Sequence, residues 1–117
     1  MKIAIIGASN NRGKFWNIIL RDLLKKWHEV FPVNKNEEQI EWIVCYKTIA
    51  NLPEWIEILN FVTPPEVTLE ILKLANSNWM KNVWCQPWSS DEKVKSFLIE
   101  NSFKYIIDSC IMINPEN

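Results

Sequence analysis

Residues 2–16 read KIAIIGASNNRGKFW. Ile3, Ala4, Ile5 and Ile6 are apolar without alternation, the pattern of a strand buried on both faces in a parallel sheet. The run stops at Gly7, and the next glycine is Gly13. The chain has only 2 glycines in 117 residues, and both fall in this loop. Behind the loop, Phe15, Ile18, Ile19, Asp22 and Leu23 follow helical spacing, and Leu24 and Trp27 widen the apolar stripe. Arg21, Lys25 and Lys26 fall on the opposite side. The order strand, glycine loop, helix is the context a dinucleotide fingerprint requires. Glycine lacks Cβ and lets backbone come close to a ligand. A helix start adds free N–H groups and the positive end of its dipole. The expected occupant is therefore a pyrophosphate beside Gly7 and Gly13, and the alternative is a tight turn with no ligand. Ser9, Asn10 and Asn11 bring polar side chains to the loop, and Arg12 and Lys14 bring positive charge.

Working outward, residues 29–33 form a second short strand, and 37–46 read as a short or edge strand. Residues 56–62 form a strand stopped by Pro64-Pro65, and a proline pair is tolerated where a helix starts. The helix that follows carries Val67, Leu69, Ile71, Leu72 and Leu74 on its apolar face. Residues 82–86 form a strand closed by Pro87. A last helix starts near Ser89 or Ser90, with Asp91 and Glu92 in its first turn. Residues 104–108 form the final strand. This alternation predicts an α/β, Rossmann-like fold: a mostly parallel sheet of five or six strands, covered by helices on both faces as three layers α/β/α.

Composition sets the outer bounds. At 13.9 kDa the chain is expected to form one domain over 1–117, with 48% hydrophobic and 23% charged residues. A formal net charge of −1 favours neither nucleic acid nor an anionic membrane. The opening apolar run is too short for a signal peptide, and no stretch approaches the ~20 apolar residues of a membrane span. Cys45, Cys85 and Cys110 lie far apart without a CxxC, and His28 is the only histidine, so no metal site is expected. Three lone cysteines fit a reducing cytoplasm.

The end of the second strand refines the ligand. Nicotinamide-dinucleotide folds place an acidic residue there for the ribose hydroxyls. Here Val33 is followed by Asn34, Lys35 and Asn36. A lysine suits a phosphorylated ribose, as in coenzyme A (3′-phosphate) or NADP (2′-phosphate).

These segments together resemble the small stand-alone CoA-binding proteins, whose Rossmann-like domain is similar to the CoA-binding domain of the succinyl-CoA synthetase α subunit. The resemblance rests on IAIIGAS at 3–9, VFPVN at 30–34 and Y-x-T-x-A-x-L-P at 46–53. It continues with FVTPP at 61–65, VWCQP at 83–87 and DSC at 108–110. It implies that Gly7, Ala8, Ser9 and the helix start hold the CoA pyrophosphate. Asn34 and Lys35 would lie by the adenosine, Thr63 and Pro64 would border the nucleotide cleft, and Gln86 and Pro87 would border the path to pantetheine. Two positions depart from the family pattern. Trp88 stands where the family often has glycine, and would narrow or cover the pocket. Ser109 stands where it often has arginine.

No catalytic constellation accompanies these residues. His28 reads as a structural histidine at a helix C-terminus, and Cys110 lacks an assured base. The expected function is binding of CoA or an acyl-CoA by a non-catalytic or regulatory module, with a protein partner possible. The alternative is a small NADP-binding oxidoreductase, or a transferase subunit acting with a partner. A degenerate nucleotide-fold scaffold is the third reading.

Overall fold

The computed structural model describes residues 1–53 and 55–113. Strand β1 (Lys2–Ile6) leads into helix α1 (Phe15–Lys25) and strand β2 (Glu29–Val33). Two short strands, β3 (Gln39–Ile40) and β4 (Ile43–Val44), precede β5 (Ile58–Phe61). Helix α2 (Pro65–Ser77), β6 (Asn82–Cys85), α3 (Glu92–Glu100) and β7 (Lys104–Ile106) complete the order, with short 3-10 turns at Ile49–Asn51, Pro87–Ser89 and Ile111–Ile113. The main sheet has five strands in the order β2-β1-β5-β6-β7, and every pairing in it is parallel. Successive connections thus run outward in opposite directions from β1 and β5, which makes the gap between those two strands the switch point of the fold.

Both faces of the sheet are covered, as the unalternating apolar strands require. Ile3 and Ile5 pack with Ile19, Leu20 and Leu23 of α1 and with Ile111. Ala4 and Ile6 point the other way, to Leu72 and Ala75 of α2 and Leu98 of α3. Pro32 is tolerated in β2 because that strand is an edge of the sheet, where its missing donor breaks no ladder.

Several boundaries differ from the sequence expectation for local reasons. The segment 37–46 is a short hairpin that joins the main sheet through Tyr46, which bridges Val33 at the β2 edge, and is not a sixth strand. Its turn residues Glu41 and Trp42 both have positive φ (50° and 72°), the geometry of a tight two-residue hairpin. That turn usually announces itself through Asn-Gly, and neither residue is present. The cap of α3 is Asp91, whose carboxylate accepts from the Val94 N–H at 2.9 Å, while Ser89 is buried in the preceding turn. The buried side of α1 is Asn17, Ile19, Leu20 and Leu23, so Phe15, Ile18 and Trp27 face outward.

All three helices end in the same way. Trp27, Trp79 and Ser102 take left-handed backbone just past the C-caps. The next residue's N–H then reaches back into the helix: His28 to Leu23 O, Met80 to Ala75 O and Phe103 to Leu98 O. Glycine is the usual occupant of that position. A side chain there costs roughly 1–2 kcal/mol per residue.

Candidate functional site

At the carboxyl ends of β1, β2 and β5, beside the switch point, the surface opens into a cleft of about 450 Å³. Gly7 and Thr63 form its floor. Asn34, Lys35 and Asn36 form one wall and Lys47, Thr48 and Ile49 another. The third wall is Val67, Ile71 and Leu74, one stripe of α2. The sequence pattern groups these three with Leu69 and Leu72 on one apolar face. In the structure the core face is Thr68, Leu72 and Ala75, and the second apolar stripe faces the cleft instead. Among the described residues the lining contains two lysines and no acid, and neither lysine is held in an ion pair.

Gly7 is fixed by sterics. Its φ is +99°, and a Cβ there would stand 2.8 Å from Thr63 Cγ2 and 3.2 Å from Val62 Cγ2. Its N–H is used in the sheet, donating to Val33 O at 2.9 Å. Gly13 is different: its backbone is not left-handed, and an added Cβ would meet only Asn11 Oδ1, at 3.4 Å.

The rest of the loop is organised by its own polar groups. Asn11 N–H donates to Ser9 Oγ, and Gly13 N–H to Asn11 Oδ1, both at 3.0 Å. Asn17, wholly buried, donates to Ser9 O and accepts from Arg21 Nε. The β3–β4 hairpin fastens the outer side. Asn10 donates to Glu37 and to Gln39 O, and Arg12 pairs with Glu41 at 3.5 Å. Two expected phosphate contacts are thus engaged elsewhere: Arg12 by Glu41, and Lys14 by the ring of Trp16 at 5.3 Å. Helix α1 has no side-chain cap. Among the described residues the N–H groups of Ala8, Phe15 and Trp16 have no acceptor. At the α1 start, the amides of Asn11, Gly13 and Lys14 are thus taken up by the loop itself, and those of Phe15 and Trp16 are the ones without an acceptor.

The remaining expected site residues fall into two groups. Asn34 and Lys35 reach the cleft with Gly7 and Thr63, although the Asn34 amide is committed to Ala8 O at 2.8 Å. Pro64 and Pro87 are exposed beside the strand ends and do not line the cleft. Ala8 is buried in the α1-side core. Gln86 is fully buried and donates through Nε2 to Asn60 Oδ1 at 2.7 Å, on the α1 side of the sheet. Trp88 stands near the α1 start. Its indole N–H donates to Val62 O at 3.0 Å, and its ring meets Phe15 edge-on at 5.1 Å. Lys47, Thr48, Ile49 and the α2 stripe are the contributors that sequence reading did not single out. The signal for the stripe was present: α2 has more apolar positions than one buried face can use.

His28 lies at the other end of the sheet, with Nδ1 3.2 Å from the Met1 amino group. Cys85 is buried, and burial pushes its thiol up to about 12. Burial likewise raises the Cys45 thiol.

A lysine-rimmed apolar cleft at the switch point of a five-stranded parallel sheet, covered by helices, defines an α/β protein of Rossmann-like fold. The chain belongs to the CoA binding domain family, which it matches over residues 1–116, and coenzyme A is the ligand that this membership gives it. It is similar to an ADP-forming acetate–CoA ligase of Methanocaldococcus jannaschii, with 28% identity over 104 residues, covering 89% of this chain and 15% of that one. It is also similar to the α subunit of ADP-forming acetate–CoA ligase I of Pyrococcus furiosus, with 25% identity over 115 residues, covering 88% and 25%. The chain thus spans a quarter or less of these relatives. Among solved structures, a conserved hypothetical protein from Pyrococcus furiosus superposes with a TM-score of 0.94 at 42% identity, over 96% of this chain and 97% of that one.

Proposed function

We propose that the chain holds coenzyme A with its adenosine in the α2 cleft and its 3′-phosphate between Lys35 and Lys47. The diphosphate crosses Gly7 to the open amides at the start of α1, and the pantetheine arm leaves past Trp88. The observation that carries this reading is a cleft whose described lining holds two lysines, no acid and, among the described residues, no ion-pair partner for either lysine. The apolar α2 wall suits a purine, and the lysines suit a phosphorylated ribose better than a free diol. The role is binding, with chemistry, where there is any, supplied by a partner protein. The naming of a Pyrococcus furiosus relative as a ligase subunit α supports such a partner. An NADP-dependent subunit remains the alternative, since its 2′-phosphate meets the same lysines.

Titration calorimetry with CoA, 3′-dephospho-CoA, NADP and NAD separates these readings. CoA is expected to bind tightest, and Lys35→Ala and Lys47→Ala are each expected to weaken it about fivefold, as for a contact of roughly 1 kcal/mol. Equal affinity for CoA and 3′-dephospho-CoA would overturn the phosphate assignment, and tighter NADP would favour the alternative. The diphosphate contact has its own test. Lys14 is extended and Phe15 is the first helical residue, so proline fits at 15 while deleting that amide. Phe15→Pro is expected to bind CoA several-fold more weakly than Phe15→Ala, and equal affinities would remove the α1 amides from the site.

A further inference from the structure

We propose that the edge of the sheet at its strand starts is a self-association surface, on which a second copy docks about a two-fold axis with Trp27 of one copy entering the hollow beside Trp79 of the other. Because all five strands are parallel, the residues preceding them line up along one edge in sheet order. Trp27 precedes β2, Met1 precedes β1, Trp55 precedes β5 and Trp79 precedes β6. Trp27, Trp55 and Trp79 are 93%, 60% and 84% exposed, and Met1 is 53% exposed. At ~4.8 Å per strand the row from Trp27 to Trp79 is about 14 Å long. It lies at the opposite end of the sheet from the cleft.

Local structure does not explain these tryptophans. Trp27 and Trp79 occupy left-handed backbone, where glycine or asparagine would be easier. Trp27 packs on almost nothing. Trp55 and Trp79 each have one ring face occupied by a cation, Lys2 Nζ at 4.7 Å and Lys81 Nζ at 6.0 Å, and expose the remainder. Two backbone positions are strained to present large apolar groups to solvent, which a binding surface accounts for and a free edge does not.

Area and register favour a second copy as the occupant. A fully hidden tryptophan removes up to about 250 Å², so the three expose on the order of 500 Å², much of the ~800 Å² that each partner gives to a stable interface. Between Ile56, Trp79, Met80 and Lys104 lies a hollow of about 440 Å³, roomy enough for an indole. A two-fold axis lying in the contact plane, parallel to the sheet normal and midway between β1 and β5, reverses the row onto itself. It sets Trp27 against Trp79 of the other copy and Met1 against Trp55. The charged groups of the edge, Lys2, Glu29, Glu57, Lys81 and Lys104, carry both signs, so two copies meet without a single-sign barrier. Such a contact is isologous and closes as a dimer.

The test is sedimentation velocity over a concentration series, on the wild type and on Trp27→Gly and Trp79→Gly. Both substitutions relieve left-handed strain, so the variants are expected to melt no lower than the wild type at high dilution, which separates loss of association from loss of fold. Trp27→Asn, which also accepts this backbone, repeats the test if either glycine variant is unstable. The wild type is expected to dimerise with rising concentration, and each substitution to raise the dissociation constant about tenfold or more. A wild type that stays monomeric, or a dimer that either substitution leaves unchanged, overturns the proposal.

Discussion

At residue scale the two glycines part company. Gly7 needs its missing Cβ because the Thr63 methyl occupies that space and because φ is +99°. Gly7→Ala is expected to lower stability by about 2 kcal/mol or more through strain and overlap. Gly13→Ala, in ordinary backbone with room for a methyl, is expected to be neutral or to stabilise by up to about 1 kcal/mol. Urea denaturation of the two variants checks both signs, and equal effects would contradict the assignment. The sequence pointed to both glycines as places where backbone meets an anion. For Gly7 the structural reason is a methyl group far away in the chain, which no local pattern exposes. Lys35 was legible because it follows a strand end. Lys47 was not, because it lies in a turn whose path depends on the hairpin before it.

At the scale of elements, the five strands of the sheet were readable because each is a short apolar run closed by a turn or proline. The hairpin was not, because two-residue strands carry no periodicity and Glu41-Trp42 is an uncommon pair for its turn. Helix α2 misled in the opposite direction: its apolar positions form two stripes, one for the core and one for the cleft. The centre of the sheet holds another feature hidden from pattern. Asn60, fully buried in β5, accepts from Gln86 Nε2, and Gln86 Oε1 faces the Ile111 N–H at 3.4 Å. This pair joins β5 and the end of β6 to the 3-10 turn that packs on α1. Asn60→Ala would leave the Gln86 amide unpaired in the core. It is expected to cost about 2–4 kcal/mol from the stranded donor and the small cavity together, measurable as a lower urea midpoint. A loss below ~0.5 kcal/mol would mean that Gln86 finds another partner.

At the scale of the whole molecule the sheet has two chemically different ends, one with the cleft and one with the tryptophan row. His28 belongs to the second. Burial first, and then the neighbouring amino terminus and Lys26, lower its pKa below the ordinary 6.5. Between the folded pKa and 6.5 the unfolded chain binds the extra proton. The contribution of neutral His28 is therefore complete above about pH 6.5 and is lost as pH falls toward the folded value. Stability is expected to decline over that interval in the wild type and to decline less in His28→Gln. Parallel slopes in the two proteins would show that other groups govern the acid side.

Six non-glycine residues among those described sit at positive φ in a chain with two glycines. Each such position strains the native form slightly. Yet a polymer so poor in its most pliable monomer also has fewer conformations to surrender when it folds. Part of this protein's folding stability thus belongs to the narrowness of its denatured ensemble, where no inventory of native contacts will find it.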